Sequence, residues 1–269
     1  MVLTQDSKNA LEFLRAANRG QWSITPLFVL VIYVIFGYIG EQKWDHLLGM
    51  LAFFGMDFFN ELVNSGILHY TNYSALWTTS VENTTYIPLV GWNIEIMLTF
   101  LIAPLVAFKI TPKIPTKYKI PTVLFWVVFG FFVIYPETVI VLDFVVSYSF
   151  TLSQLLFSIL FAFLLIGIFF LKFSRYVEIP SIIVLSFFFS CIAVGFELFL
   201  NYTGLLLWTY KYWNFYFPFL IIFFGYFHFF YAAIWVFQRQ SRLPQFIAVG
   251  LIYLINFVVM IFLIYQKWI

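Results

Sequence analysis

The chain contains few charged residues, one cysteine and few histidines, and each of these shortages excludes a class of protein. Charged residues make up 10% of the chain, against about 25% in soluble domains. The single Cys191 excludes an internal disulfide framework and a cysteine-based metal site. The histidines form neither a His-Glu-x-x-His motif nor a pair of Glu-x-x-His motifs. A histidine-box di-iron enzyme is therefore excluded, and no metal or cofactor is predicted.

Hydrophobic residues, by contrast, make up 63% of the chain and occur in continuous runs. The runs are about 20 residues long, the length that a helix needs to cross the hydrocarbon core of a bilayer. The sequence therefore predicts an all-α, polytopic integral membrane protein embedded in the lipid bilayer, with no nucleic-acid partner. We expect a polar, interfacial N-terminal segment at 1–23 and a transmembrane helical domain at 24–269.

The apolar runs predict a helical bundle of seven or eight spans. Segment 46–69 decides between the two numbers, because it either crosses the membrane or only dips into the bundle. The expected segments are 25–40, 46–69, 88–109, 121–146, 150–172, 179–200, 217–237 and 245–265.

The distribution of lysine and arginine predicts the orientation of the bundle. These residues concentrate in the connections at 109–119, 172–175 and 239–242, which the positive-inside rule places in the cytoplasm. Basic residues in the N-terminal segment favour a cytoplasmic start, whereas eight full spans place that start outside. The side of the N-terminus stays open with the number of spans.

A short pattern occurs twice and predicts an internal repeat. Glu61 is followed by Leu-Trp-Thr at 76–78, and Glu197 is followed by Leu-Trp-Thr at 207–209. Both copies run outward along a helix and return inward after a loop. Two such halves would be related by an axis along the membrane normal, with their interface at the centre of the bundle.

Polar side chains within the apolar runs mark a candidate site. Asp57, Glu61 and Asn64 share one face of a helix, and the predicted topology brings Glu197 to a similar depth in the outer half of the membrane. Ionisable groups at that depth are costly, so we expect them to be functional. The candidate acids and bases are Asp57, Glu61, Glu95, Glu197 and His228; the candidate substrate-binding residues are Asn64, Asn93, Asn201, Trp77, Trp208, Tyr210 and Tyr226.

One segment resembles a known family. Glu197 is followed by Gly204, Trp208, Tyr210, Asn214 and Pro218. This run is similar to a segment of polytopic carotenoid-modifying membrane proteins of the lycopene cyclase-domain and carotenoid hydratase type. The resemblance implies repeated groups of helices, and carboxylates that act as acids on polyene ends. It assigns that role to Glu197, with Glu61 as its counterpart.

These observations favour an enzyme that uses buried carboxylates in acid–base modification of an apolar lipid or isoprenoid such as a carotenoid. Cyclisation, hydration and isomerisation all begin with a proton donated to an alkene, and aromatic rings stabilise the resulting cation. Two alternatives stay open. One is a proton- or cation-coupled transporter, because intramembrane acids and repeats are typical of carriers. The other is a membrane protein that binds a lipid or pigment without chemistry. The sequence predicts no oligomeric state.

Overall fold

The computed structural model describes residues 5–6, 8–9, 24–71, 74–79, 87–129, 175–202, 204, 206–210, 213–214 and 220–269. The helices are α1 Ile24–Gly40, α2 Trp44–Tyr70, α3 Ile94–Ile102, α4 Pro104–Ile110, α5 Thr122–Phe129, α6 Ser181–Tyr202, the π-helical segment Ile221–Phe227, α7 His228–Phe237 and α8 Arg242–Tyr265. The strands are β1 Trp77–Thr79, β2 Lys117–Pro121, β3 Tyr176–Pro180 and β4 Leu206–Trp208.

The described residues show a mainly helical, multi-pass membrane protein. Three helices, α2, α6 and α8, are long and apolar enough to cross a membrane. Helix α1 and the continuous segment Ile221–Phe237 are shorter but also apolar. Predicted segments 25–40, 46–69, 179–200 and 245–265 correspond to α1, α2, α6 and α8.

Two predicted helices differ from the structure in ways that follow from local chemistry. The helix expected at 88–109 begins only at Ile94, because Asn93 caps it by accepting from the amide of Ile96 at 2.7 Å. It is divided at Pro104, which lacks an amide hydrogen and begins α4. The helix expected at 217–237 is described from residue 220 and is π-helical over its first turns. The segment at 121–146 is described only as far as Phe129, and 150–172 lies outside the described residues.

The chain forms two compact units. The smaller, Thr116–Val184, contains β2, α5 and β3. Strands β2 and β3 pair antiparallel with Lys119 opposite Glu178. The all-α prediction missed this pair because each strand has only five residues and adjoins a long apolar run.

The larger unit, Met1–Pro115 with Leu185–Ile269, is built around α2. Small residues allow neighbouring helices to approach α2 closely: Phe108 and the backbone of α7 contact Gly49, and residues of α8 contact Gly55. Asn256 of α8 donates a hydrogen bond to the carbonyl of Gly55 at 2.7 Å. In the most apolar stretch of 18 residues, 50% of α2 is buried inside the protein, against 17% of α8. Helix α2 therefore lies inside the bundle, which explains how it can carry polar side chains.

A second strand pair lies in the larger unit, next to α2. Strands β1 and β4 pair antiparallel, with Trp77 directly opposite Trp208. The two Leu-Trp-Thr sequences therefore contact each other through their backbones. This contact brings the polar ends of α2 and α6 toward one place.

Candidate functional site

Three carboxylates from two helices face one small cavity in the larger unit. Asp57 and Glu61 are one turn apart on the inward face of α2, and Glu197 lies near the end of α6. Their exposed fractions are only 3%, 2% and 5%. The cavity has a volume of about 50 Å³ and is also lined by aromatic and aliphatic side chains. The structure thus brings together three of the acids that the sequence singled out.

Neutral N–H groups hold the two acids of α2. The indole of Trp77 donates to Glu61 Oε1 at 2.7 Å, and the backbone amide of Gly91 donates to Glu61 Oε2 at 3.1 Å. The indole of Trp92 donates to Asp57 Oδ2 at 2.7 Å. Because the Trp92 ring stacks on Phe58, with ring centroids 5.1 Å apart, its N–H is fixed toward Asp57. Both carboxyl groups therefore have defined orientations.

Glu197 has a similar environment on the other side of the cavity. Trp208 donates to its Oε1 at 2.9 Å, Trp213 is at 3.5 Å from the same atom, and Tyr226 also hydrogen-bonds the carboxyl group. The rings of Trp213 and Trp77 are in contact, with centroids 4.9 Å apart. A pair of indoles thus connects Glu197 with the carboxyl group that Trp77 holds.

No basic side chain of the described residues forms an ion pair with this cluster. Among the described residues, every ion pair of a lysine or arginine involves other carboxylates. Three ionised carboxylates around one cavity in a low-dielectric interior would repel one another and lack hydration. They are stable together only when protons or a bound cation neutralise them.

Direct binding of a metal ion by these groups has little geometric support. Within the part of the chain that the structure describes, no three carboxylate, imidazole or thiolate groups lie close enough to hold one metal ion. Calcium requires about six to eight oxygen ligands. The described residues therefore do not form a three-ligand site for one metal ion at this cavity.

His228 lies behind the cavity wall and contacts it through Asn60. Its Nε2 is 3.0 Å from Asn60 Oδ1, and its Nδ1 is 3.3 Å from the carbonyl of Phe223. Asn60 lines the cavity and donates to the carbonyl of Phe224 at 2.7 Å. That carbonyl belongs to the π-helical segment, a type of irregularity that is frequent at functional sites. His228 is therefore linked to the cavity by one amide side chain.

The predicted asparagines hold backbone in place near the cavity. Asn64 accepts from the amide of Leu76 at 2.8 Å and donates to the carbonyl of Trp77 at 2.9 Å. Asn201 donates to the carbonyl of Leu206 at 3.2 Å, and Asn93 caps α3. These amides orient the segments that carry the indoles.

The remaining predicted residues divide into two groups. Tyr226 and Trp77 line the cavity, and Trp208 contacts it through Glu197. Glu95, in the first turn of α3, and Tyr210, beyond β4, do not line it.

Sequence reasoning did not assign Gly91, Trp92 or Trp213 to the site. Gly91 is required because a Cβ atom there would collide with the Trp77 indole and lie 2.9 Å from Glu61 Oε2. One signal could have indicated the tryptophans: a buried carboxylate without a basic partner needs neutral donors, and an indole supplies one N–H. The loops before α3 and after β4 contain the tryptophans that do this.

A comparison with known proteins finds a relative in Archaeoglobus fulgidus. It is described as an uncharacterized protein and is 30% identical over 237 residues, which cover 88% of this chain and 85% of the relative. No solved structure matches the chain.

A family model described as "Uncharacterized membrane protein family" matches residues 4–143 and 145–265. The resemblance to carotenoid-modifying proteins is therefore wrong, because the chain matches an uncharacterized membrane protein family and an uncharacterized relative, and no carotenoid-related family is shown. Most of the residues that carried the resemblance, Gly204, Trp208, Tyr210 and Pro218, are of types that are common in and at the ends of membrane helices, so they do not distinguish one membrane family from another. The chain belongs to this family of uncharacterized membrane proteins.

Proposed function

We propose that this protein is a proton-coupled carrier of a small cation, in which Asp57, Glu61 and Glu197 bind the exchanged protons. The observation that supports the proposal is their meeting at one cavity without a basic partner among the described residues. A site of this kind attracts cations and must be neutralised whenever it is closed to water. Exchange of protons for a cation satisfies that requirement in both directions.

The size of the cavity supports a small substrate. Its volume is about 50 Å³. A water molecule needs roughly 10–15 Å³ of cavity volume, so the space accommodates a few water molecules or a small cation. Sites for drug-sized ligands are larger, at about 300 Å³ or more. An isoprenoid end would enter only after the helices move apart.

We further infer eight spans, arranged as two halves of four helices. The antiparallel pair formed by β1 and β4 supports this arrangement, because two-fold related segments pair antiparallel with equivalent residues opposite each other, as Trp77 and Trp208 are. Each of these indoles donates to the glutamate of its own half, Glu61 or Glu197. The family model matches two stretches, 4–143 and 145–265. The boundary between these stretches lies close to the connection between the fourth and fifth expected spans, 121–146 and 150–172, where two halves of four helices would meet in the sequence. Parallel repeats of this kind occur in carriers and place the substrate site between the halves.

Proton–cation exchange in proteoliposomes tests the proposal. Vesicles with an acidic interior and a trapped pH-sensitive dye are diluted into buffers that contain sodium, potassium or methylammonium. The proposal predicts that at least one of these cations makes the interior more alkaline, faster than in protein-free vesicles. The same slow change with and without protein, for every cation, would contradict it.

Acid–base modification of an apolar lipid is a second proposal for the same carboxyl groups. The apolar part of the cavity wall supports it, since Phe100, Leu200 and Phe229 lie beside the acids. Mass spectrometry of an organic extract from the purified protein separates the two proposals. An apolar lipid enriched over the membrane background, and converted by wild type but not by Glu197→Gln, would favour the enzyme.

A further inference from the structure

A second and larger cavity lies at the predicted cytoplasmic end of the bundle. Its volume is about 420 Å³. Three connections meet there: the turn between α1 and α2, the segment after α4, and the turn between α7 and α8. Its lining residues are Gln42, Trp44, Asp45, Lys113, Ile114, Gln238, Arg239, Gln240, Arg242 and Gln245. None of these residues lines the first cavity, which Asp57, Glu61 and Glu197 face and which we call the acidic cavity.

The lining of this cavity carries a net positive charge. Lys113 contacts the carboxylate of Asp45, so these two charges compensate. Arg239 and Arg242 have no carboxylate partner among the residues that the structure describes. Arginine stays charged at all accessible pH values, and its planar guanidinium matches the oxygens of a phosphate. Within the described part of the chain, Arg239 and Arg242 are therefore two guanidinium groups at this cavity without a carboxylate partner, in a position to bind an anion.

Aromatic rings and buried amides orient the basic side chains. The guanidinium of Arg239 lies over the Trp235 ring, 4.0 Å from its centroid, and that of Arg242 is 5.9 Å from the centroid of Trp44. Gln245 is buried and donates to the carbonyl of Arg239 at 3.1 Å. These contacts position the turn that carries the arginines.

The turn between α1 and α2 is also fixed. Gln42 has a φ of 55°, which is uncommon for a residue other than glycine. Its side chain donates to the carbonyl of Ile39 at 3.0 Å and accepts from the Trp44 indole at 3.1 Å. These bonds hold the indole next to Arg242. The cavity wall is preformed on this side as well.

Burial lowers the pKa of Lys113 to about 8, whereas its contact with Asp45 favours the charged form. The ammonium group also donates to the carbonyl of Phe237 at 3.3 Å. Lys113 thus connects the segment after α4 to the first turn of α2 and the last residue of α7. The two arginines remain the groups available for an anion.

The surroundings of the cavity indicate where its ligand comes from. Leu243 and Phe246, on the first turns of α8, have exposed fractions of 70% and 52%, and Ile114 has 67%. Exposed apolar side chains that flank a polar site are typical of surfaces that contact a membrane or another protein, and this chain is a membrane protein. Basic pockets at this level bind lipid headgroups. We propose that this cavity binds the phosphate headgroup of an anionic membrane lipid, with Arg239 and Arg242 as its phosphate ligands. This site is independent of the proposed carrier function.

Native mass spectrometry of the full-length protein in detergent tests this site, with phosphatidylglycerol and phosphatidylcholine of identical acyl chains as probes. We expect preferential binding of phosphatidylglycerol and a loss of about tenfold in its affinity for the double variant Arg239→Gln, Arg242→Gln. The matched control is Lys117→Gln, Lys119→Gln, which removes the same charge from exposed positions of β2 and should bind like wild type.

Three possible results would overturn the proposed lipid site. An equal affinity of both double variants for phosphatidylglycerol would overturn the proposal, as would equal binding of the two lipids by wild type. Titration with inorganic phosphate distinguishes the sources of the ligand: a lipid site retains phosphatidylglycerol in millimolar phosphate. Displacement of the lipid at that concentration would overturn the assignment to lipid and assign the pocket to a soluble phosphate compound.

Discussion

Replacing Glu61 with glutamine is expected to reduce proton–cation exchange to the level of protein-free vesicles. Glutamine has nearly the same shape, and its carbonyl oxygen can still accept the hydrogen bond of the Trp77 indole at the position of Glu61 Oε1. It cannot bind or release a proton, however, and it removes one negative charge from the cavity. The pH-sensitive dye assay measures the rate, and a thermal unfolding curve in detergent checks that the variant is folded.

The matched control for this variant is Glu178→Gln. Glu178 lies in β3, its side chain is 52% exposed, and it does not line the acidic cavity. The Glu178→Gln variant should therefore exchange protons at the rate of the wild-type protein, since only a surface charge is lost. Wild-type exchange by folded Glu61→Gln would contradict the carrier proposal, whereas equal losses in both variants would show that the assay detects charge loss in general.

Replacing Gly91 with alanine is expected to abolish exchange and to destabilise the protein. The new Cβ atom would collide with the Trp77 indole and lie 2.9 Å from Glu61 Oε2. The indole would have to move, and the buried Glu61 Oε1 would lose the hydrogen bond that Trp77 donates to it. Overpacking and a buried acceptor without a partner each cost about 1–3 kcal/mol, so a loss of about 3 kcal/mol in the free energy of unfolding is expected. The measurement is denaturant or thermal unfolding in detergent.

Gly195→Ala is the matched control for this substitution. A Cβ atom at Gly195, in α6, would meet no heavy atom of the other described segments within 4 Å. Alanine should therefore be neutral or slightly stabilising there, because it favours the helix by about 1 kcal/mol relative to glycine. If Gly91→Ala were as stable and active as Gly195→Ala, the close packing of Trp77 against Gly91 would be wrong.

Some features of this fold could be predicted from the sequence because they depend on local patterns. Continuous apolar runs predicted α1, α2, α6 and α8, since a long uninterrupted run at helix length leaves few alternatives in a bilayer. The spacing of Asp57 and Glu61 also placed them on one face of α2, because residues four apart lie one turn apart in a helix.

Other features could not be predicted because they depend on contacts between distant segments. The pairing of Trp77 with Trp208 joins strands of three residues each, which are too short to leave a recognisable alternation. The donors for Asp57 and Glu197, Trp92 and Trp213, resemble interfacial aromatic residues in composition. Only the three-dimensional arrangement distinguishes an indole that holds a carboxyl group from one that faces lipid headgroups.

The most direct test of the acidic cavity is infrared spectroscopy of the purified protein at neutral pH. The carbonyl stretch of a protonated carboxylic acid is separate from that of a carboxylate, and the variants Asp57→Asn, Glu61→Gln and Glu197→Gln assign it to individual residues. If protons neutralise the cavity, the wild-type spectrum contains the carbonyl band of a protonated carboxylic acid. This band should weaken in at least one of the three cavity variants and remain in Glu178→Gln. It should also decrease when a transported cation is added. A wild-type spectrum without this band, or one that all three cavity substitutions leave unchanged, would contradict the claim that protons neutralise the cavity.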